Sequence, residues 1–378
     1  MESYVFDYKH FKEAGELFLR QLCRELAEVE IFAEKMEADH LCFRVSNQEE
    51  YDFYKRELEL HGQLLTEALV NGRAICTFLL YDAFKTECHT VKLIELPAPK
   101  KGTTYNLGFE HAEFVLHECF SEFAFKFPKL SFRESGNPVV NPELCLTLGE
   151  KQGKFHYLSL DRVIEIENAE IKHIIFDLDG TLIRSRETIY EINRIVFSEI
   201  LEREVTIQES IEKFHPEFSK LFDAFSLSCT SRRNLAVSRW GSVSERFTYA
   251  LFDGVSELLN DLSRAGFHLH LWTAREEHSA RNILTAHGLE HFFSSLNFAT
   301  HIDSKPKASS LRMDWEAIDK NQIIVVGDSP SDIKGAKNIR AIGAAALWDS
   351  HAQKSLLVDA GAELFFHQLS DFRDWLKL

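Results

Sequence analysis

The chain has 378 residues, of which 45% are hydrophobic and 27% charged, and a formal net charge of -16. That length is more than one ordinary core needs and predicts two domains. The negative balance, with no long Lys/Arg run to reverse it locally, argues against a nucleic-acid or membrane-surface partner. No apolar run approaches the roughly 18 residues of a membrane span, and the opening MESYVFDYKHFKE lacks the apolar core of a secretory signal, so a cytoplasmic protein is expected. None of the seven cysteines forms a C-x-x-C pair; reduced, mostly buried thiols are the expectation.

In chain order, an acidic amphipathic helix pair is predicted over about residues 11–36. Asp39-His40-Leu41-Cys42-Phe43-Arg44-Val45 then opens one strand, and Glu110-His111-Ala112-Glu113-Phe114-Val115-Leu116 opens another. Each is an acid, a histidine and a strand, followed by a helix-like stretch and further strand candidates, including 74–80 and 91–96. This loose self-similarity predicts a duplicated βαβββ unit. Histidines early in strands, with an acid on a neighbouring strand, can build a mononuclear two-His-one-carboxylate metal site. His40, Glu95 and His111 are the candidates, with His156 as a fourth. Strand histidines are also ordinary hydrogen-bonded core residues, and both readings stand at this point. Pro97 and Pro99 beside Glu95 read as strand terminators. The stretch Val163–Glu170 is the expected junction, which puts the domains at 1–168 and 169–378.

Beyond the junction, short apolar runs alternate with helical patterns, the signature of a parallel sheet built from βαβ units. The strands are expected at 173–176, 267–272, 322–326 and 341–348, with helices at 255–265 and 333–338. Residues 188–250 are helical in pattern and read as a cap, about 186–250, inserted after the first strand.

That first strand runs into Asp177-Leu178-Asp179-Gly180-Thr181. It delivers Asp177 to its C-terminal end, where open α/β sheets place ligands. A carboxylate there can attack phosphorus and form an aspartyl-phosphate. Asp179 can give a proton to the leaving oxygen and later take one from water. Gly180 allows the sharp turn, and Thr181 can cap the segment after it. Thr273, after the strand ending Leu271-Trp272, offers a hydroxyl to a phosphoryl oxygen. Ser304-Lys305-Pro306-Lys307 offers a cation, with Lys305 and Lys307 both open. Asp328 and Asp332, in Gly327-Asp328-Ser329-Pro330-Ser331-Asp332, can complete an oxygen shell for Mg²⁺. The metal is called for because a phosphate dianion repels a carboxylate nucleophile.

At these residues the segment 170–378 resembles the haloacid dehalogenase (HAD) superfamily, whose motifs are D-x-D-G-T, Ser/Thr, Lys and G-D-x-x-x-D. The resemblance implies an α/β fold, a HAD-type Rossmann-like parallel sheet with an inserted helical cap. It implies Asp177 as nucleophile and Asp179 as acid/base. Mg²⁺ would sit on Asp177, the Asp179 carbonyl and Asp328. Thr273 and Lys305 would hold the transferring group, the Lys-Pro pair matching better than Lys307, and Asp332 would support the metal or orient the lysine. Dehalogenases of the family lack the second acid, and the ion-pumping branch reads D-K-T-G. The residues therefore point to a phosphatase acting on a small phosphorylated metabolite, with a phosphomutase or phosphotransferase as the alternative.

Lys213 and Lys220 in the cap read as surface lysines. Arg275 is either a substrate contact or a solvated residue at a helix start. Arg232, Arg233 and Arg239 read as a charged cap face in preference to an anion reader.

The histidine strands, with Asn71-Gly72-Arg73-Ala74-Ile75-Cys76 and Glu95-Leu96-Pro97-Ala98-Pro99, look like the YecM-type members of the vicinal-oxygen-chelate (glyoxalase-like) fold over residues 10–168. This implies an α+β domain of paired βαβββ units around a cupped sheet that can hold a second divalent metal. It also brings a rival function, a metal-dependent isomerase, lyase or oxygenase with an auxiliary HAD domain. A non-enzymatic interaction protein is opposed by the intact acids at 177, 179, 328 and 332.

Overall fold

A computed structural model describes residues 6–70, 72–103, 105–215, 218–299 and 318–378, and the chain divides into the units Met1–Asn168 and Ala169–Leu378.

In the first unit, Asp7 caps helix α1 (Tyr8–Glu28) by accepting from the Lys9 and His10 amides at 2.9 and 3.2 Å. Phe11, Phe18, Leu19, Leu22 and Leu26 fall on one buried stripe at helical spacing. Gly15 lets this helix sit close: a Cβ there would run into the rings of Phe84 and Phe109. A mid-helix glycine costs about 1 kcal/mol. The aromatic cluster it admits offsets that, with Phe11–Phe43, Phe11–Phe109 and Phe43–Phe109 centroids 4.9–5.2 Å apart, each pair contributing roughly 1 kcal/mol. The helix pair expected over 11–36 is instead one helix and a short 3-10 turn at Ala33–Lys35. Glu30 adopts φ 68° and Ile31 bonds back to Leu26, so the chain turns. The apolar Ile31 and Ala33 are buried from that turn.

The strands come next as β1 (Glu37–Arg44), β2 (Gly62–Val70), β3 (Arg73–Lys85) and β4 (Thr90–Pro97), with α2 (Gln48–Glu59) after β1. The second set is β5 (Gly108–Val115), β6 (Phe132–Asn137), β7 (Asn141–Leu148) and β8 (Lys151–His156), with α3 (Phe120–Phe125) after β5 and α4 (Leu160–Glu167) at the end. They form one sheet in the order β2-β3-β4-β1-β5-β8-β7-β6. β1 runs parallel to β4, β5 parallel to β8, and the two sets meet antiparallel at β1–β5. Two βαβββ units thus lie side by side. In this register His40 faces Glu113, Cys42 faces His111 and Glu95, and Glu113 faces Lys154. Residues directly opposite share a face. The polar residues therefore gather on one face. α1 covers the other, where a Cβ on Gly153 would meet Leu26.

In the second unit the elements are β9 (His173–Phe176), β10 (Ile183–Arg184), α5 (Arg186–Leu201), α6 (Ile207–Glu212), α7 (Phe218–Ala224), α8 (Thr230–Ser244) and β11 (Ala250–Leu251). Then come α9 (Val255–Arg264), β12 (His268–Glu276), α10 (Glu277–Ala286), β13 (Phe293–Ala299), β14 (Ile323–Gly327) and α11 (Pro330–Asn338). β15 (Ile342–Ala346), α12 (Lys354–Ala360), β16 (Leu364–Phe366) and α13 (Leu369–Trp375) complete it. The strands β13-β12-β9-β14-β15-β16 form a wholly parallel sheet. The chain goes from β9 to one side of the sheet and returns at β14 to the other. That switch point is where such sheets open a ligand crevice.

Helices α5–α8 close around their own core, including Val196, Phe197, Leu221, Phe222 and Phe225. β10 and β11 pair antiparallel where the chain enters and leaves this cap. No described helix is long and apolar enough to cross a membrane.

Candidate active site

Phe176 on β9 lies in register with Leu271 on β12 and Val326 on β14. The residues just beyond β9 and β14, Asp177 and Asp328, therefore meet, and Thr273 lies within β12 two residues past the Leu271 pairing position. Asp177 is buried and its amide donates to Val326 at 3.0 Å. Two glycines make the crowding feasible. Gly180 takes φ 70°, a backbone that costs a side chain roughly 1–2 kcal/mol. A Cβ there would also collide with both oxygens of Asp328. Gly327 has the same function for Asp332, whose carboxylate folds back against it. One oxygen of Asp332 accepts from the Ser329 amide at 2.9 Å and hydroxyl at 2.8 Å, a capping box that starts α11.

Asp177, Asp328 and Asp332 each present an oxygen within 4.8 Å of the others, all three buried. Burial, with Asp332, Asp177 and Asp349 close by, pushes the Asp328 carboxyl well above the usual range; Arg186 opposes this. Carboxylates so placed call for a cation, and a hard divalent ion with oxygen ligands fits them. The Asp179 carbonyl belongs to the same turn.

Two arginines complete the electrostatics. Arg275 grips Asp179 through two bonds, Nε–Oδ2 at 2.9 Å and Nη2–Oδ1 at 2.5 Å. It also lies over the Tyr249 ring, 4.5 Å from the centroid. Burial raises the Asp179 carboxyl, but Arg275 outweighs it and holds the group below the usual range. Of the two roles open to Arg275 from sequence, the solvated one is excluded: its side chain is 4% exposed. Arg186 donates from Nη2 to Asp328 Oδ2 at 2.8 Å. Thr273 is buried and its hydroxyl accepts from the Arg275 amide at 3.1 Å. The Trp348 indole donates to the Thr181 carbonyl at 2.9 Å, and the Thr181 hydroxyl, also buried, has no hydrogen-bond partner among the described residues. Lys305 and Lys307 lie outside the described residues. In the cap, Arg233 is taken up by Asp223 and the Leu227 carbonyl, Arg239 by Glu199 and Lys213 by Glu209, which leaves the cap face as an ion-paired surface there.

In the first unit the polar face brings together His40, Glu95 and His111, with ligand atoms within 4.8 Å. His156 converges on His40 from another side, with Asp39 in place of Glu95 and His111. Three further residues join that sequence reasoning passed over. Asp39 sits at a β-bulge between Ala38 and His40, which turns it to the His40 Nδ1 at 2.7 Å. Glu113 lies 3.4 Å from His40 Nε2 and 3.2 Å from His111 Nε2. Lys154 donates to Glu113 at 2.8 Å. His40 Nε2, His111 Nε2 and both nitrogens of His156 are buried without a well-formed hydrogen bond. These nitrogens face the Glu113 and Asp39 carboxylates at 3.2–3.6 Å, an arrangement that suits either protonated imidazoles or a cation shared with the carboxylates. The local field favours positive charge: burial is outweighed by Glu113 and Asp39, which hold the His40 pKa well above its ordinary value.

Residues 174–345 match the family model of haloacid dehalogenase-like hydrolases, and residues 7–167 match that of the YecM protein. The chain joins a YecM domain to a haloacid dehalogenase-like hydrolase domain. The second of these makes the chain an enzyme with a hydrolase domain over residues 174–345. The YecM domain is similar to protein YecM of Escherichia coli, 28% identical over 148 residues, covering 35% of this chain and 79% of that protein. The hydrolase domain is similar to the pyrophosphatase PpaX of Halalkalibacterium halodurans, 26% identical over 172 residues, 45% of this chain and 80% of the relative. It is also similar to the phosphoglycolate phosphatase of Vibrio vulnificus, 26% identical over 198 residues, with 45% and 80% covered.

Proposed function

We propose that the hydrolase domain is a Mg²⁺-dependent phosphatase that cleaves a small phosphate monoester through an aspartyl-phosphate on Asp177. The observation that carries this is the convergence of the buried acids Asp177, Asp328 and Asp332 just past the ends of the adjacent parallel strands β9 and β14. The names of the relatives, a pyrophosphatase and a phosphoglycolate phosphatase, agree in the bond they imply, P–O.

In this reading an Asp177 oxygen attacks phosphorus and the ester P–O bond breaks. Asp179, which Arg275 holds ionised here, would have to leave that arginine and take up a proton before giving it to the leaving oxygen. Water, losing a proton to Asp179, then attacks the phosphoryl group. The Asp177–phosphorus bond breaks, and phosphate leaves. Thr273 supports a phosphoryl oxygen. Mg²⁺, held by Asp177, the Asp179 carbonyl, Asp328 and Asp332, would reduce the repulsion between phosphate and nucleophile. Product analysis tests the reading: incubated with a panel of phosphorylated metabolites, the protein should release inorganic phosphate in step with substrate loss. An isomeric phosphate with little inorganic phosphate would make it a mutase instead.

A second reading belongs to the YecM domain and is favoured by the convergence of the His40, Glu95 and His111 ligand atoms. We propose that His40, His111 and Glu95 hold a divalent metal, with Asp39 and Glu110 orienting the imidazoles from their Nδ1 atoms, Glu113 facing their Nε2 atoms and His156 beside them. The domain's vicinal-oxygen-chelate likeness is consistent with that. Full-length protein carrying Asp328→Asn should retain about one Zn, Mn, Fe or Ni per chain after metal supplementation and dialysis. His40→Ala in the same background should lose it. An equal metal content in the two proteins would remove this site.

A further inference from the structure

The two arginines at the acids are not part of the motif set, and one of them bears on how the metal site fills. Arg186 is the first residue of α5, the first cap helix, while Asp328 comes directly after β14 in the sheet. Their ion pair ties cap to core at 2.8 Å, with side chains only 15% and 2% exposed. The guanidinium is backed by the Phe214 ring, 4.5 Å from its centroid, in the cap segment after α6. The Asp328 carboxylate lies against Gly180, where a Cβ would collide with it, so that side is closed to it.

We propose that Arg186 is a rival cation for Asp328, so that Mg²⁺ binding is opposed by the protein's own guanidinium and is coupled to the cap. The inference rests on the metal-site reading above. A divalent ion held by Asp177, Asp328 and Asp332 would either displace Arg186 from Asp328 or sit beside a fixed positive charge. Both weaken its affinity. When Arg186 is displaced, the bond between α5 and the sheet is lost while its stacking on Phe214 keeps it within the cap. Metal entry therefore loosens the cap at its hinge, and a pulled-back cap favours metal entry. By linkage the two effects are equal in size.

The test is Mg²⁺ binding to the full chain by calorimetry, with Mn²⁺ paramagnetic resonance as a second readout, neither of which needs turnover. Arg186→Gln should bind Mg²⁺ about tenfold more tightly than wild type, a difference of about 1.4 kcal/mol. Arg186→Lys, which keeps the charge, should bind within about threefold of wild type. Phe214→Leu removes the backing ring without touching an acid and should tighten binding by a smaller factor; it carries the test if the Arg186 variants fold poorly. Unchanged or weaker binding in both Arg186→Gln and Phe214→Leu would overturn the proposal and make Arg186 a support for Asp328. Mg²⁺ binding that survives Asp328→Asn undiminished would overturn the metal site itself, and the proposal with it.

Discussion

Asp177→Asn protein is expected to release inorganic phosphate from any accepted monoester at least about 10³-fold more slowly than wild type. The substitution is nearly isosteric, and the backbone bond from residue 177 to Val326 that fixes the strand end does not involve the side chain. The fold should therefore persist, and a thermal melt close to that of wild type would show it. An amide oxygen carries no formal charge and is a poor nucleophile toward phosphorus, so the covalent route closes. The same change removes one of the three buried carboxylates that converge on the metal position. Substantial remaining turnover, with the melt unchanged, would mean that water attacks phosphorus directly and that the nucleophile is misassigned.

Asp179→Asn is expected to slow hydrolysis of an alkyl phosphate by about 10²–10⁴-fold. An aryl phosphate such as p-nitrophenyl phosphate should lose much less in the first step, because its leaving group departs without a proton. The second step still needs a base to take a proton from water, so phosphorylated enzyme should accumulate. Burst kinetics with the aryl substrate measure both effects. This substitution also leaves the buried Arg275 facing a neutral amide in place of its two-bond carboxylate partner, at a stability cost on the order of 1–3 kcal/mol. A lower melting temperature is thus part of the prediction. Equal losses with alkyl and aryl substrates would assign Asp179 to structure and not to proton transfer.

Legibility in the sequence depends on how each residue does its work. The parallel strands were legible because both faces of each are covered, so His173–Phe176 and Ile323–Gly327 are nearly unbroken apolar runs. The acids were legible because they sit immediately past those runs. β13 was not. It places Ser295 and Asn297 at buried positions, where they bond to His270 and to the Leu271 carbonyl, and the polar residues break the apolar pattern. Arg186 and Arg275 escaped a role for a different reason. Each acts on an acid far away in the chain, 142 residues off for Arg186 and 96 for Arg275, and local spacing carries no signal for a long side chain reaching between strand ends.

The YecM domain divides in the same way. The paired strand histidines implied one face of a duplicated sheet, and the register of β1, β4, β5 and β8 puts His40, Glu95 and His111 there. Asp39 was hidden because ordinary alternation would point it away from His40; the bulge reverses that. Glu113 and Lys154 looked like ordinary alternating polar positions, and only their cross-strand pairing makes them partners. The cap lysines and arginines were read as surface groups. For Lys213, Arg233 and Arg239 that reading agrees with their pairing to cap acids.

If Asp177 is the nucleophile, it must itself carry the phosphoryl group between the two steps. Wild-type protein should be mixed with Mg²⁺ and a turned-over phosphate ester, quenched in acid, reduced with borohydride and digested for mass spectrometry. An acyl phosphate reduces to the alcohol, so homoserine is expected in place of aspartate at residue 177 and nowhere else. Ester hydrolysis with residue 177 unmodified, or modification of another acid, would contradict the assignment.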